Sequence, residues 1–287
     1  MNLCTEKGIG LSFLSPNGSF YARVTGEVSG NVLLRRTQYR WADDKGEELR
    51  LAKRFIAAKI QNSRTILQRT IRDHGEIIDK IGMSVLVDQL QEIVNSVRTA
   101  KNIDSLRGLE GKAANAYFNK FDDLIINQKE NFVFHSRIKH PPTDKVNSLL
   151  SFIYTLLSRD CASALESVGL DPQVGFMHTD RSGRDSLALD LMEELRPYLA
   201  DRLVLSLINR KQVNENGFLN RENGTVLMKE DTKKDIILAW QNRKREEIIH
   251  PFLQEKIQIG LIPYVQSMLL ARNIRGDLDD YPPFLWK

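Results

Sequence analysis

The sequence predicts a mainly α protein, an all-helical domain over residues 29–287 preceded by a short β-hairpin within residues 1–28. Three observations carry that expectation. From Asn31 onward, apolar residues recur at three- and four-residue spacing almost without interruption, the period of an amphipathic helix. Before that, "GIGLSFLSPNGSFYARVTGEVSG" places strand-like "LSFL" and alternating "SFYARV" on either side of a "SPNG" turn. Finally, a chain of 287 residues with 41% hydrophobic and 27% charged residues has the balance of a globular protein with a large core, in one large or two smaller domains.

The elements are taken in chain order. An isolated hairpin is not stable, so residues 1–28 either pack on the helical part or belong to a β-domain whose earlier strands lie outside this chain. Residues 31–42 and 46–74 read as helices. "GMSVLVDQLQEIVNSVRTA" and "SLRGLEGKAANAYFNKFDDLI" are the next two. "NFVFHSRIKHPPTD" is a loop, because Pro141 and Pro142 break helical continuation and Thr143 or Asp144 is suited to cap the next helix. "KVNSLLSFIYTLLSRDCASALESVG" is long and strongly apolar, a helix at the centre of the core. A loop over 170–184 leads to helices at 185–196, 198–209, 229–249 and 251–272. "NENGFLNRENGTVLM" is a small turn or ribbon, and the Pro-containing tail "RGDLDDYPPFLWK" is irregular.

Composition narrows function mainly by exclusion. Net charge is only +4, so a nucleic-acid role has to rest on where the basic residues sit. Cys4 and Cys161 are far apart and in no metal-ligand spacing, which favours a reducing, cytoplasmic compartment. No apolar run reaches membrane-spanning length. The absence of a Gly-rich phosphate loop speaks against a phosphohydrolase acting on small molecules.

The stretch "HTDRSGRDSLALDLMEEL" draws most attention. On a helix, Asp190 and Glu193 are three residues apart and face the same way, among the core candidates Leu187, Leu189, Leu191 and Leu195. A buried carboxylate is costly unless it is paired or binds a metal. The same pattern also fits a solvated face with Arg196 and Arg202 nearby. His178 closes the loop that feeds this helix, and one imidazole with carboxylates suits Mg²⁺ or Mn²⁺. A further carboxylate, Glu110, stands between Gly108 and Gly111 in an otherwise helical run. Those glycines either permit a close backbone approach or mark an ordinary helix start. Basic residues cluster at Arg35, Arg36 and Arg40, interleaved with Tyr39 and Trp41; at Lys53, Arg54, Lys59, Arg64, Arg69 and Arg72; and at Arg181 and Arg184. They suit phosphate contacts, or else pair with Glu47, Glu48, Asp73 and Glu76.

Taken together, "LRGLEGKAANAYF", "PPTDKVNSLLSFIYTLL" and "VGFMHTDRSGRDSLALDLMEELRP", in that order, closely resemble the CRISPR-associated protein one family, the metal-dependent DNA nuclease and integrase of spacer acquisition. "GNVLLRRTQYR" and the C-terminal tail resemble the type I-C variant. The resemblance implies a helical catalytic domain. It implies a metal site of a Glu, a His and an acidic residue, here Glu110, His178 and Glu193, with Asp190 the alternative third ligand and Mg²⁺ or Mn²⁺ bound. It implies insertion of spacer DNA by attack of a 3′-hydroxyl on a phosphodiester. It also implies double-stranded and branched DNA as substrates, CRISPR-associated protein two as partner, and a homodimer built with an N-terminal β-domain. Residues 1–28 resemble the last strands of that domain, and the expectation is that most of it is missing. Arg181 and Arg184 are expected to clamp phosphates, Arg35, Arg36 and Arg40 to contact DNA farther along, and Asn115 and Tyr117 to line the cleft of Glu110. The alternative is a catalytically incompetent helical DNA-binding or scaffold protein.

Overall fold

Asp44 marks the point at which the helical domain takes its direction. Its carboxylate accepts from the backbone N–H groups of Gly46 (2.8 Å) and Glu47 (3.0 Å), satisfying donors that the first turn of a helix leaves open. In the computed structural model, which describes residues 2–7, 11–14, 20–24, 32–138 and 141–286, that cap separates α2 (Val32–Asp43) from α3 (Lys45–His74). α3 spans 30 residues and is the axis of the fold. It packs against α4 (Lys80–Thr99), α5 (Ile103–Asn119) and α7 (Ser186–Arg196). Leu51, Phe55, Ile56, Ile60 and Leu67 recur along its buried face.

A second layer is built on α6 (Lys145–Ser167), capped by Asp144 through the Asn147 N–H at 2.7 Å, as one of the two expected caps. α6 packs against α7 and α10 (Ile262–Arg275). α7 does not stop at Pro197. It passes through a π-helical turn, Pro197–Asp201, into α8 (Arg202–Asn209). Pro197 has no N–H to donate to the Glu193 carbonyl, and the Arg202 N–H donates five residues back, to Pro197 O. The sequence reading split these helices at the proline; the chain widens its turn instead.

Before the helices lie α1 (Asn2–Glu6), β1 (Leu11–Leu14) and β2 (Phe20–Val24). β1 and β2 pair antiparallel, Leu11 opposite Val24, so the strands of the expected hairpin are present. Its "SPNG" turn and the boundary at 28–29 lie outside the described residues. A second expected ribbon is β3 (Phe218–Asn220) with β4 (Val226–Met228).

A third hairpin was not anticipated. α9 (Glu230–Arg245) ends at Glu246, and β5 (Glu247–Ile249) then pairs with β6 (Lys256–Gln258) where helix was expected. "EII" and "KIQ" alternate over only three residues, too short a run for the period to register, and Pro251 and the left-handed Gln254 (φ 57°) turn the chain between them. The tail is irregular as expected but not loose. Tyr281, Phe284 and Trp286 are buried, and Asn62 on α3 donates to Phe284 O and accepts from the Trp286 N–H. Among the described residues, no helix is long and apolar enough to cross a membrane.

Candidate functional site: a Glu–His–Glu cleft

Asp190 and Glu193 share one helix but serve different neighbours. Asp190 is fully buried. It accepts from the backbone N–H groups of Phe176 (2.6 Å), Met177 (2.9 Å) and His178 (3.0 Å), and its Oδ1 lies 2.7 Å from Nδ1 of His178. With three N–H donors already aimed at it, the carboxylate is an acceptor, so His178 donates to it from Nδ1 and Nε2 is the ring nitrogen turned away from Asp190. The loop comes this close because residue 175 is glycine. A Cβ there would sit 2.8 Å from Asp190 Oδ2 and 2.9 Å from the Ser186 backbone. Gln38, on α2, holds the start of the same loop: it donates to the carbonyls of Asp171 and Val174 and accepts from the Asp171 N–H.

Glu193 instead lines a cleft of about 350 Å³ together with Glu110, His178, Asn115, Arg137 and Arg196. Neither helical carboxylate lies on a solvated face: Asp190 is 0% exposed and Glu193 6%. Burial raises the Glu193 carboxyl, but the charges of Arg196 and Lys59 overcome it and hold the group at about 2. Arg196 Nη1 donates to Glu193 Oε1 at 3.1 Å. Its guanidinium lies 4.8 Å from the Tyr154 ring centroid, and the Tyr154 hydroxyl donates to buried Asp201 at 2.6 Å.

Glu110 stands near the middle of α5, whose start is fixed by a capping box between Asn102 and Ser105, so it is no helix-start residue. Its flanking glycines do not admit a close neighbour: a Cβ at Gly108 or Gly111 would meet nothing within 4 Å. Arg107, one turn earlier, donates to Met177 O (3.0 Å) and Thr179 Oγ1 (2.9 Å), tying α5 to the His178 loop. Lys59 on α3 joins the two acidic residues. Its Nζ pairs with Glu110 Oε1 and lies 2.7 Å from Glu193 Oε2.

Whether these residues suit a divalent ion turns on their oxygens. Glu193 Oε2 is buried, with the Lys59 ammonium 2.7 Å away as its partner. Two carboxylates and an imidazole nitrogen are the donor set of a hard or borderline cation. Among the described residues, no three His, Cys, Asp or Glu side chains stand close enough to hold an ion without moving. The donors fit in kind and share a cleft, with Lys59 between the carboxylates.

The other sequence-derived residues are scattered. Asn115 lines the cleft, whereas Tyr117 is 3% exposed and packs in the core on Phe118 and Phe121, at ring separations of 5.3 and 5.7 Å. Arg181, Arg36 and Arg40 are exposed, and Arg184 is half-buried with a long contact to Thr179 O. Arg35 is engaged in the fold, donating to Gly169 O at 3.1 Å. Of the α3 cluster, Lys53, Arg54, Arg64 and Arg72 contact Arg98 O, Asp280, Val87 O and Asp73. Sequence reasoning missed Arg107, Arg137 and Arg196 as site residues and named Lys59 only as one basic residue among many. For Lys59 the signal was present: a cation inside the apolar run "FIAAKIQ".

An α-helical protein is thus defined, with a cleft lined by two acidic residues and a histidine, the acidic pair held by buried cations. The chain belongs to the CRISPR-associated Cas1 family, whose model matches residues 1–242. It is 49% identical over 284 residues to a CRISPR-associated endonuclease Cas1 of Chlorobaculum tepidum, covering 99% of this chain and 83% of that protein. It is also 49% identical to one from Rhodospirillum rubrum, covering 100% of this chain and 84% of that protein. Among solved structures, a casposase bound to its integration product matches with a TM-score of 0.83 at 25% identity, over 97% of this chain and 75% of that one.

Proposed function

We propose that this chain is a divalent-metal-dependent DNA endonuclease and integrase of CRISPR adaptation, and that Glu110, His178 and Glu193 carry its chemistry. The observation that carries the reading is that these three side chains, from α5, the 170–184 loop and α7, line one cleft. The relatives named as endonucleases and the casposase neighbour supply the reaction class. Glu110, Nε2 of His178 and Glu193 would hold Mg²⁺ or Mn²⁺, which when bound stabilises negative charge at a phosphodiester and favours ionisation of the attacking hydroxyl. Glu193 is preferred to Asp190 as the third ligand because both Asp190 oxygens are taken by the loop and the imidazole.

In this reading Asp190 fixes the ring and tautomer of His178, the outer-shell role that carboxylates serve at metal-bound histidines. Arg196 and Arg137, both lining the cleft, meet phosphate oxygens, and Asn115 meets the adjoining backbone. A 3′-hydroxyl on one DNA end forms the new phosphoester bond, its proton passes to solvent, and the displaced strand leaves with the electrons of the broken P–O bond. Water in place of the hydroxyl gives cleavage. Arg181, Arg184, Arg36 and Arg40 contact DNA farther from the cleft, while Arg35 and Tyr117 serve mainly the fold. A homodimer, the CRISPR-associated protein two partner and the type I-C assignment belong to the same reading.

Glu110→Ala separates this reading from a non-catalytic DNA-binding scaffold. The expected result is a loss of about a hundredfold or more in Mn²⁺-dependent cleavage of branched DNA, with DNA affinity retained. Wild-type protein that binds DNA but cleaves no more than the variant is the scaffold outcome.

A further inference from the structure

Lys59 has no role in the chemistry proposed above. It is 5% exposed, and its backbone is fixed between buried Ala58 and Ile60 on the long helix α3. Its ammonium meets one oxygen of Glu110 and one of Glu193, the two carboxylates assigned above as ligands. The other Glu193 oxygen is taken by Arg196. The acidic pair therefore converges on one cation, and that cation is part of the protein.

We propose that Lys59 is a resident counter-cation of the metal site, which neutralises Glu110 and Glu193 when no ion is bound and which a divalent ion must displace in order to bind. The inference rests on the reading of Glu110 and Glu193 as ligands. A divalent ion held by both would use the oxygens that Lys59 now holds, and a positive charge left within a few ångströms would oppose it. With neither Lys59 nor an ion between them, the two carboxylates would face each other partly buried, with Arg196 on the Glu193 side alone, which is costly. Displacement needs only side-chain motion. Lys59 has a flexible four-carbon stem, and Ile56, one turn before it on the same face, lines the open cleft.

The test is Mn²⁺ binding by the full chain without DNA, followed through the electron paramagnetic resonance signal of free Mn²⁺, beside thermal melting with chelator and with Mn²⁺. Lys59→Met is expected to bind Mn²⁺ about tenfold or more tightly than wild type, to melt lower in chelator, and to gain more from Mn²⁺. Lys59→Gln, which keeps hydrogen-bond donors for the carboxylates, carries the same expectation should Lys59→Met not fold. Lys59→Arg, which keeps the charge, is expected to bind no more tightly than wild type. Neutral variants that bind equally or more weakly, with binding still abolished by Glu110→Gln, overturn the counter-cation role while leaving the metal site standing. Binding indifferent to Glu110→Gln in every background overturns the metal site and this inference with it.

Discussion

Glu193 and Glu194 are neighbours on α7 and both are buried, yet one carboxyl is held at about 2 and the other is pushed up to about 7. Burial raises both. Around Glu193 the charges of Arg196 and Lys59 reverse that effect. Around Glu194 the donors are neutral and offset only part of it: the Tyr281 hydroxyl at 2.5 Å, Gln266 Nε2 at 2.9 Å and the Phe284 N–H at 3.3 Å. His250, fully buried, extends this second network through Gln266. One face of α7 thus concentrates opposite charges at an open cleft. The other clamps the C-terminal tail to the core with hydrogen bonds. Burial acts on both acids alike; the charges around each decide which is held ionised and which is pushed up.

The largest effect expected on the cleft side is at Asp190. Replacing it with Ala strands three backbone N–H groups and the His178 ring, and should cost about 3 kcal/mol or more in denaturant unfolding. A loss under about 1 kcal/mol would mean that the loop does not depend on that carboxylate. Gly175→Ala should come next at about 1–3 kcal/mol, because its methyl meets Asp190 and the backbone of Ser186, which cannot swing aside.

On the tail side, the raised Glu194 carboxyl means that the folded protein binds more protons than the unfolded chain between about 4.5 and 7. Stability should therefore fall as pH rises through that window, by a few kcal/mol, and Glu194→Gln should flatten that fall in melting curves. Glu193 acts oppositely: its contribution is present above about 4.5 and is lost as pH falls toward 2. The smallest effect is at Tyr117. Asp201 already accepts from Tyr154, so Tyr117→Phe should change stability by less than about 1 kcal/mol and leave DNA affinity unchanged. A clear loss of DNA binding would return Tyr117 to the interface.

Much of the fold was legible in the sequence because its helices are long and periodic, with capping residues where they start. Asp144 was one of two expected caps, and α3 and α6 fell close to their predicted spans. The β5–β6 hairpin was not legible, being two three-residue strands between long helices. Nor was the passage through Pro197, where a π turn substitutes for the missing donor. At the site, the residue types were legible but their division of labour was not. Asp190 and Glu193 share a helical spacing, and only the loop folding back through Gly175 shows that one orients His178 while the other opens on the cleft. Lys59 lies 51 residues from Glu110 in the chain, so local pattern could not pair them.

The most direct measurement compares Glu193→Gln and Glu194→Gln with wild type in Mn²⁺-dependent cleavage of branched DNA, with melting temperatures taken on the same samples. Glu193→Gln should lose about a hundredfold or more in rate while still folding, and Glu194→Gln should keep its rate and change only its pH-dependent stability. A Glu193→Gln protein that cleaves like wild type would contradict the assignment of the cleft as the seat of the chemistry.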